Sequence, residues 1–260
     1  MAIRARAKQQ SLVLAGFDAG SMARPIDYLR ANPVMQTFDG RARNQIEMLK
    51  RCIATVLSRV KAARCDAFLG FQGDLERLLN LNDSQLHFPQ AVARELPVLG
   101  HLETALAEAA KVDPELGGAL AALSSQLQWR QNPNYIRNPP SADFLSGYGY
   151  AVIAGSGGLI PARIAFGLLI LAPGILYPAH LHPAEEVYLV LDQTSLWWRE
   201  GEEWRHGLAG ALIHHPPNLL HAMQAGLRPL CAVYLWRGAI EVNAVLRSDR
   251  PPSPLDRSRS

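Results

Sequence analysis

Polar side chains recur at even spacing within residues 177–191, at His180, His182, Glu186 and Tyr188. Side chains alternate between the two faces of an extended strand, so one strand through this segment would direct all four to the same face. Burying so many polar groups is costly unless something binds them. Imidazole and carboxylate groups are common ligands of divalent metal ions, so the segment predicts one half of a metal site.

The same spacing resembles the first motif of the cupin superfamily, G-x5-H-x-H-x3-E-x6-G. Gly174, His180, His182 and Glu186 meet this motif, whereas Gln193 stands at its closing glycine. The resemblance implies a double-stranded β-helix, whose site lies inside the barrel and takes ligands from two separated segments. A second ligand segment is therefore expected further along the chain.

Residues 210–225 resemble the second cupin motif, G-x5-P-x-G-x2-H-x3-N. Gly210, Pro216 and His221 meet it, while Asn218 stands where glycine is usual and Ala225 replaces the final asparagine. Asparagine tolerates a positive φ angle better than other non-glycine residues, so the change at position 218 is mild. This segment predicts the missing half of the site, with His221 as its ligand.

Together the two motifs predict a mixed nitrogen and oxygen ligand set: His180 or His182, with Glu186 and His221. Such a set with open positions suits one divalent metal ion, and Fe, Mn, Zn, Ni and Co remain open. Because no thiolate joins the set, a closed structural zinc site is disfavoured.

Flanking residues resemble a narrower group, the cupin-type dimethylsulfoniopropionate (DMSP) lyases. The shared features are Tyr-Pro-x-His-x-His-Pro-Ala-Glu-Glu-x-Tyr starting at Tyr177, a strand with two tryptophans, and the His-Ala-Met sequence at His221. The resemblance covers about residues 145–240. It implies that the metal ligands are His182, Glu186 and His221, that Tyr188 is the general base, and that Tyr177 and His180 line the substrate pocket.

Cleavage of DMSP to acrylate and dimethyl sulfide is a β-elimination, and the implied residues suit it. A metal ion that holds the carboxylate would offset the charge that develops when the neighbouring carbon loses its proton. A phenolate is favoured beside a cation, so Tyr188 is a suitable base. Aromatic faces attract a sulfonium cation, and Tyr177, Trp198 and Trp236 are the candidates.

Neighbouring polar and aromatic residues are expected to have other roles. Glu185 should face away from the metal because it alternates with Glu186. His214 and His215 precede a Pro-Pro turn and are expected at the barrel rim. Because Trp197 and Trp198 are adjacent, one of them should face the barrel interior and the other should face outward.

Two other functions are compatible with a cupin site. The protein could be a related metal-dependent enzyme on another small carboxylate, namely an isomerase, a hydrolase or a dioxygenase, or a non-catalytic small-molecule sensor. Tyr188 favours the lyase, since a sensor or a dioxygenase does not require a phenol at that position. The first half of the chain also shows no basic element resembling a helix-turn-helix.

The elements that position the site divide the chain into a helical and a β part. Helical periodicity extends from Ile26 to about Leu127, and short β-type runs follow a connection rich in Asn and Pro. The prediction is a mainly β protein with an α-helical N-terminal half. Residues 1–140 are predicted to form a helical region that packs on the barrel. Residues 141–246 are predicted to form a cupin β-barrel (double-stranded β-helix, jelly roll), and residues 247–260 a disordered tail.

Composition limits the partners and the location. The net charge of +3 does not favour a nucleic-acid partner, and the sequence contains no apolar run long enough for a membrane span. Three cysteines without C-x-x-C spacing favour a reducing compartment, so a cytoplasmic location is expected. The helical half is expected either to cover the barrel or to mediate homodimerisation.

Overall fold

The computed structural model of the chain describes residues 33–86 and 95–247. By its contacts the chain divides into two compact units, residues 1–43 and 44–260. In the first unit only residues 33–43 are described, as the start of one helix, and the side-chain contacts below all lie in the second unit. The predicted disordered tail lies outside the described residues except for Arg247.

Within the described ranges the helices are α1 (Pro33–Ala62), α2 (Leu69–Leu79), α3 (Leu102–Val112), α4 (Pro114–Leu123) and α5 (Pro133–Arg137). Short 3-10 turns flank them at Asp66–Phe68, Asp83–Gln85, Pro97–His101 and Ser124–Gln126. None of the helices in these ranges is long and apolar enough to cross a lipid bilayer.

The described strands form two antiparallel sheets. They are β1 (Trp129–Arg130), β2 (Tyr148–Ala154), β3 (Ala165–Leu171), β4 (Leu176–Leu181), β5 (Glu185–Val190), β6 (Leu196–Arg199), β7 (Arg205–His206), β8 (Leu212–His215), β9 (His221–Gln224), β10 (Leu230–Arg237) and β11 (Val245–Leu246). One sheet has the order β1-β2-β3-β10-β5-β8, and the other has the order β11-β4-β9-β6-β7. The predicted fold class, a helical N-terminal part followed by an antiparallel β domain, is confirmed.

The segment that carries the first motif is two strands rather than one. β4 ends at Leu181 and β5 begins at Glu185, and these strands belong to different sheets. Pro183 lies in the bend between them, where a missing backbone N–H breaks no sheet ladder. The expectation of one continuous strand is therefore wrong, and the polar side chains meet because the chain passes from one sheet to the other.

The six-stranded sheet is buried on both faces, which explains why strand β3 reads as an almost uninterrupted apolar run. On one face, Leu168 and Ile170 belong to a cluster with helical residues such as Phe71 and Leu120. On the other face, Leu169 and its neighbours belong to the barrel interior. The helical layer thus packs on the barrel through the side of this sheet that faces away from the site.

Helix α2 is tied to the barrel at the end of strand β10. The Arg237 Nε donates to Asp74 Oδ2 at 2.6 Å, and its Nη1 donates to Glu185 Oε2 at 3.3 Å. The guanidinium lies against Gly70, where a Cβ would be only 2.1 Å from Arg237 Nη1. A larger residue at position 70 would displace the end of the arginine side chain from this place.

Helix α4 begins with Pro114 at its first position and Asp113 as its N-cap, and proline is common at the first position of a helix. The Asp113 carboxylate accepts a hydrogen bond from the Leu116 backbone N–H at 3.1 Å and another from the Arg59 guanidinium at 2.6 Å. Burial alone would raise the pKa of Asp113, but the Leu116 and Arg59 donors outweigh it and hold the pKa below its usual value.

Asp113→Ala should lower the free energy of unfolding by about 1–2 kcal/mol at pH 7, because the cap is lost. The Arg59 pair adds little, since that arginine side chain is 41% exposed. A lowered folded-state pKa contributes stability above the unfolded value of about 3.9, and this contribution disappears as the pH falls through the folded-state pKa. In urea unfolding the difference from wild type should therefore shrink below about pH 4. The exposed Glu103→Ala is the control, and an equal loss there would contradict the capping role.

Candidate metal centre and pocket

Three buried side chains form a compact group that could hold a metal ion: His182, Glu186 and His221. His182 follows β4, Glu186 lies in β5, and His221 begins β9. The His182 Nε2 lies 3.0 Å from Glu186 Oε2, and the His221 Nε2 lies 3.3 Å from the same oxygen. The three ligand atoms all lie within 4.8 Å of one another.

The donor atoms of this group suit a cation. His182 Nδ1 donates to Ala184 O at 2.9 Å and His221 Nδ1 donates to Leu219 O at 2.8 Å, because a carbonyl can only accept. In the neutral form of each ring the Nε2 that faces Glu186 is therefore unprotonated, and the buried Nε2 of His221 has no hydrogen-bond partner. Lone pairs that face a carboxylate are unfavourable without a positive charge between them, so the residues fit a divalent ion.

Electrostatics keep the carboxylate of this group ionised. Burial alone would raise the pKa of Glu186, but His182 and the other histidines around the carboxylate hold it well below its usual value. Its second oxygen, Oε1, accepts a hydrogen bond from Trp236 Nε1 at 2.5 Å. A charged carboxylate that is fixed by a donor is a ready metal ligand.

His180 lies beside the compact group rather than in it. Its ring stacks on Tyr177 with centroids 3.9 Å apart and an interplanar angle of 7°, and it meets the His221 ring edge-on at 4.1 Å. Burial, with the neighbouring His221, lowers the pKa of His180 well below its usual value, so its ring is neutral. Of the two histidines that the sequence left open as ligands, the compact group contains His182.

Tyr188 is buried next to the group. Its ring packs at 5.0 Å from Trp197 and 5.8 Å from His215, between centroids. Burial, with the Glu186 carboxylate, raises the pKa of Tyr188 well above its usual value. Without a cation nearby the side chain is therefore a neutral phenol.

A cavity of about 240 Å³ reaches the site from solvent. Glu186 lies at its inner end, and its walls are mostly aromatic: Tyr148, Tyr150, Tyr177, Tyr188, Tyr234 and Trp236. The polar lining residues Glu241 and Asn243 are exposed, and Arg130 is half-buried, so the cavity opens at that end. Its size and lining suit a small molecule with an apolar or cationic part.

The two predicted tryptophans have different locations. Trp236 lines the cavity, and its ring stacks on His182 with centroids 4.1 Å apart. Trp198 instead packs in a separate cluster with Ala179 and Leu220, away from the cavity. Strand alternation turns Trp197 inward to Tyr188 and Trp198 outward, so the expectation that Trp198 lines the pocket is wrong.

His215 lies elsewhere than predicted as well. It is 2% exposed, and its Nδ1 lies 3.5 Å from Glu186 Oε2, so it belongs to the barrel interior and not to the rim. Burial, with the neighbouring His221, lowers the pKa of His215 to about 3, so the ring is neutral. Glu185 turns away as predicted, toward His214 Nε2 at 2.9 Å.

Several cavity residues are absent from the sequence prediction, because the sequence does not show which face of their strands is turned inward. Tyr148 and Tyr150 alternate in β2, and Tyr234 alternates with Trp236 in β10. Such period-two pairs of aromatic residues were a usable signal. His215 gave no local signal, since its position follows only from the pairing of β8 with β5.

The fold and the site together define a two-sheet antiparallel β domain with a candidate metal centre. Residues 73–232 match the family model of dimethylsulfoniopropionate lyase, which is more than half of the chain. The chain belongs to the DMSP lyase family.

Known DMSP lyases resemble the chain in sequence and in structure. Dimethylsulfoniopropionate lyase DddQ of Ruegeria pomeroyi is 33% identical over 129 residues, which are 49% of this chain and 63% of that protein. The match thus spans less than two thirds of the relative. The crystal structure of DddQ from Ruegeria pomeroyi DSS-3 has a TM-score of 0.54 at 25% identity, covering 75% of this chain and 95% of that chain. A structure from work on the DMSP lyases RdDddP and RnDddQII has a TM-score of 0.57 at 22% identity and covers 78% of this chain and 99% of that chain. This similarity shows that the two proteins share a fold.

Proposed function

We propose that the protein is a metal-dependent lyase that cleaves DMSP to acrylate and dimethyl sulfide. The observation that carries this proposal is Tyr188, a buried phenol in an aromatic-walled cavity beside the His182, Glu186 and His221 group. Membership of the DMSP lyase family supports the substrate.

One divalent ion, either Fe, Mn, Zn, Ni or Co, would be held by His182, Glu186 and His221. When bound, it would supply a Lewis acid for the substrate carboxylate. The aromatic walls would hold the sulfonium end through cation–π attraction, and the candidates are Trp236, which stacks on His182, and Tyr177, which stacks on His180.

Tyr188 would act as the general base. The proton on the carbon next to the carboxylate passes to its phenolate oxygen, and the C–H electron pair forms the C=C bond of acrylate. The C–S bond breaks, and its electron pair leaves with sulfur as dimethyl sulfide. Burial and the Glu186 charge both raise the pKa of Tyr188, and an ion held by Glu186 would offset the second cause and favour the phenolate.

Cysteine chemistry supports a cytoplasmic location as part of the proposal. Cys52, Cys65 and Cys231 are free thiols. Burial raises the pKa of Cys52 to about 12, so its thiol is inert. Unpaired thiols of this kind suit a reducing compartment.

Headspace detection of dimethyl sulfide tests the proposal. Chelator-treated protein should release none from DMSP, and reloading with at least one of the five ions should restore release. The exposed His206→Gln should behave like wild type, since it changes a histidine outside the site. Absence of dimethyl sulfide from protein that binds one ion per chain would overturn the lyase assignment.

A further inference from the structure

His215 belongs to a row of three side chains that runs across the six-stranded sheet. In the register of the sheet, Glu186 of β5 pairs with His215 of β8 on one side and with Trp236 of β10 on the other. Directly opposed residues of antiparallel strands place their side chains on the same face and in contact. The carboxylate that would bind the metal is thus flanked by one donor ring on each side.

The contacts of His215 point at both other parts of the metal centre. Its ring stacks on His221 with centroids 4.0 Å apart and an interplanar angle of 22°. Its Nδ1 lies 3.5 Å from Glu186 Oε2 and, although buried, has no hydrogen-bond partner. An orphaned ring nitrogen in the barrel interior is costly, so its position next to Glu186 requires an explanation.

His215 does not have the geometry of a fourth ligand. The compact group whose ligand atoms lie within 4.8 Å of one another contains His182, Glu186 and His221 but not His215. Since Glu186 Oε1 is already held by Trp236 Nε1, the remaining task is to fix Oε2. A carboxylate oxygen has two lone pairs, so Oε2 can accept an N–H donor and still bind a cation.

We propose that His215 is a positioning residue of the metal centre, whose Nδ1–H donates to Glu186 Oε2. With Trp236 it holds the carboxylate from both sides, so that little reorganisation is needed when an ion binds. The inference rests on the metal centre of the proposed function but not on the identity of the substrate.

Two substitutions separate the hydrogen bond from the packing. His215→Phe keeps a flat ring on His221 and removes the donor, whereas His215→Asn keeps an N–H donor near the Nδ1 position and removes the ring. Cobalt(II) titration of metal-free protein measures the affinity, and the visible absorption of the bound ion reports its ligands. Loss of a donor to a metal ligand weakens binding by about 10–100-fold, which is the effect expected for His215→Phe. His215→Asn should recover most of this loss, and both should keep the wild-type visible spectrum.

Other results would overturn the proposal. Wild-type affinity in His215→Phe would show that the donor is not used. An altered visible spectrum in both variants would make His215 a ligand. Equal losses of affinity in both, with a matching fall in the unfolding temperature of the metal-free protein, would make it a packing residue. Wild-type protein that binds cobalt(II) but yields no dimethyl sulfide would contradict the proposed substrate. It would not contradict the role of His215.

Discussion

Tyr188→Phe should lower kcat for DMSP by about 10²–10⁴-fold, the usual contribution of a general base. The substitution removes only the phenolic oxygen, so the ring keeps its contact with Trp197 and the cavity keeps its shape. None of the predicted ligands is changed, so the metal content should equal that of wild type. The measurements are initial rates of dimethyl sulfide release and elemental analysis of the bound metal.

Tyr150→Phe is the matched comparison, because it removes the same atom from another wall of the same cavity. The phenyl face that attracts a sulfonium remains, so its effect on kcat should be small. A Tyr188→Phe enzyme with a kcat within tenfold of wild type would show that another group takes the proton. Equal losses in both variants would also contradict the role, since they would indicate a general change in the cavity.

Glu186→Gln should abolish the response of the protein to metal. An ion that binds only the folded state stabilises it by about 2.7 kcal/mol at 100 times its Kd. For a chain of this size that corresponds to a rise in Tm of roughly 5–10 °C. Glutamine keeps the shape of the side chain but lacks the charge that attracts the cation, so both this rise and the release of dimethyl sulfide should disappear.

Glu185→Gln is the control, since the adjacent carboxylate lies on the opposite face of the same strand and contacts His214 and Arg237. It should keep the metal-dependent rise in Tm even if its metal-free Tm is lower. A full rise in Glu186→Gln would remove Glu186 from the ligand set. Loss of the rise in both variants would show that the experiment reports damage to the strand and not ligand loss.

Short-range spacing explains why the sequence groups His182, Glu186 and His221. His182 and Glu186 lie within five residues of each other, so a short motif constrains them, and Gly210 and Asn218 mark the turns that bring His221 back. Both turns have the positive φ angles that those residue types favour, at 81° and 62°. The change from helical to β periodicity likewise located the two parts of the fold.

The predictions that differ from the structure depend on how strands pair and which way they face. The position of His215 follows from β8 lying beside β5, and sequence separation hides that register. Trp198 differs from its predicted place because adjacent strand residues face opposite ways, and the sequence alone does not show which of them faces inward. The bend at Pro183 is not evident from the sequence, because polar residues two apart are expected of a single strand. In the structure two strands from different sheets supply them.

The Arg237 contact with helix α2 has a consequence for how the protein can vary. Arg237 of β10 and Glu185 of β5 are paired, and their side chains lie on the outer face of the sheet. The adjacent pair on the same two strands is Trp236 and Glu186, whose side chains lie on the inner face. Docking of the helix and binding of an ion therefore act on one shared stretch of backbone. Any free-energy coupling between them is reciprocal: a substitution in helix α2 that alters ion affinity must be matched by an equal effect of the ion on helix docking. With such coupling, a substitution in helix α2 would adjust the metal centre and leave every pocket residue unchanged.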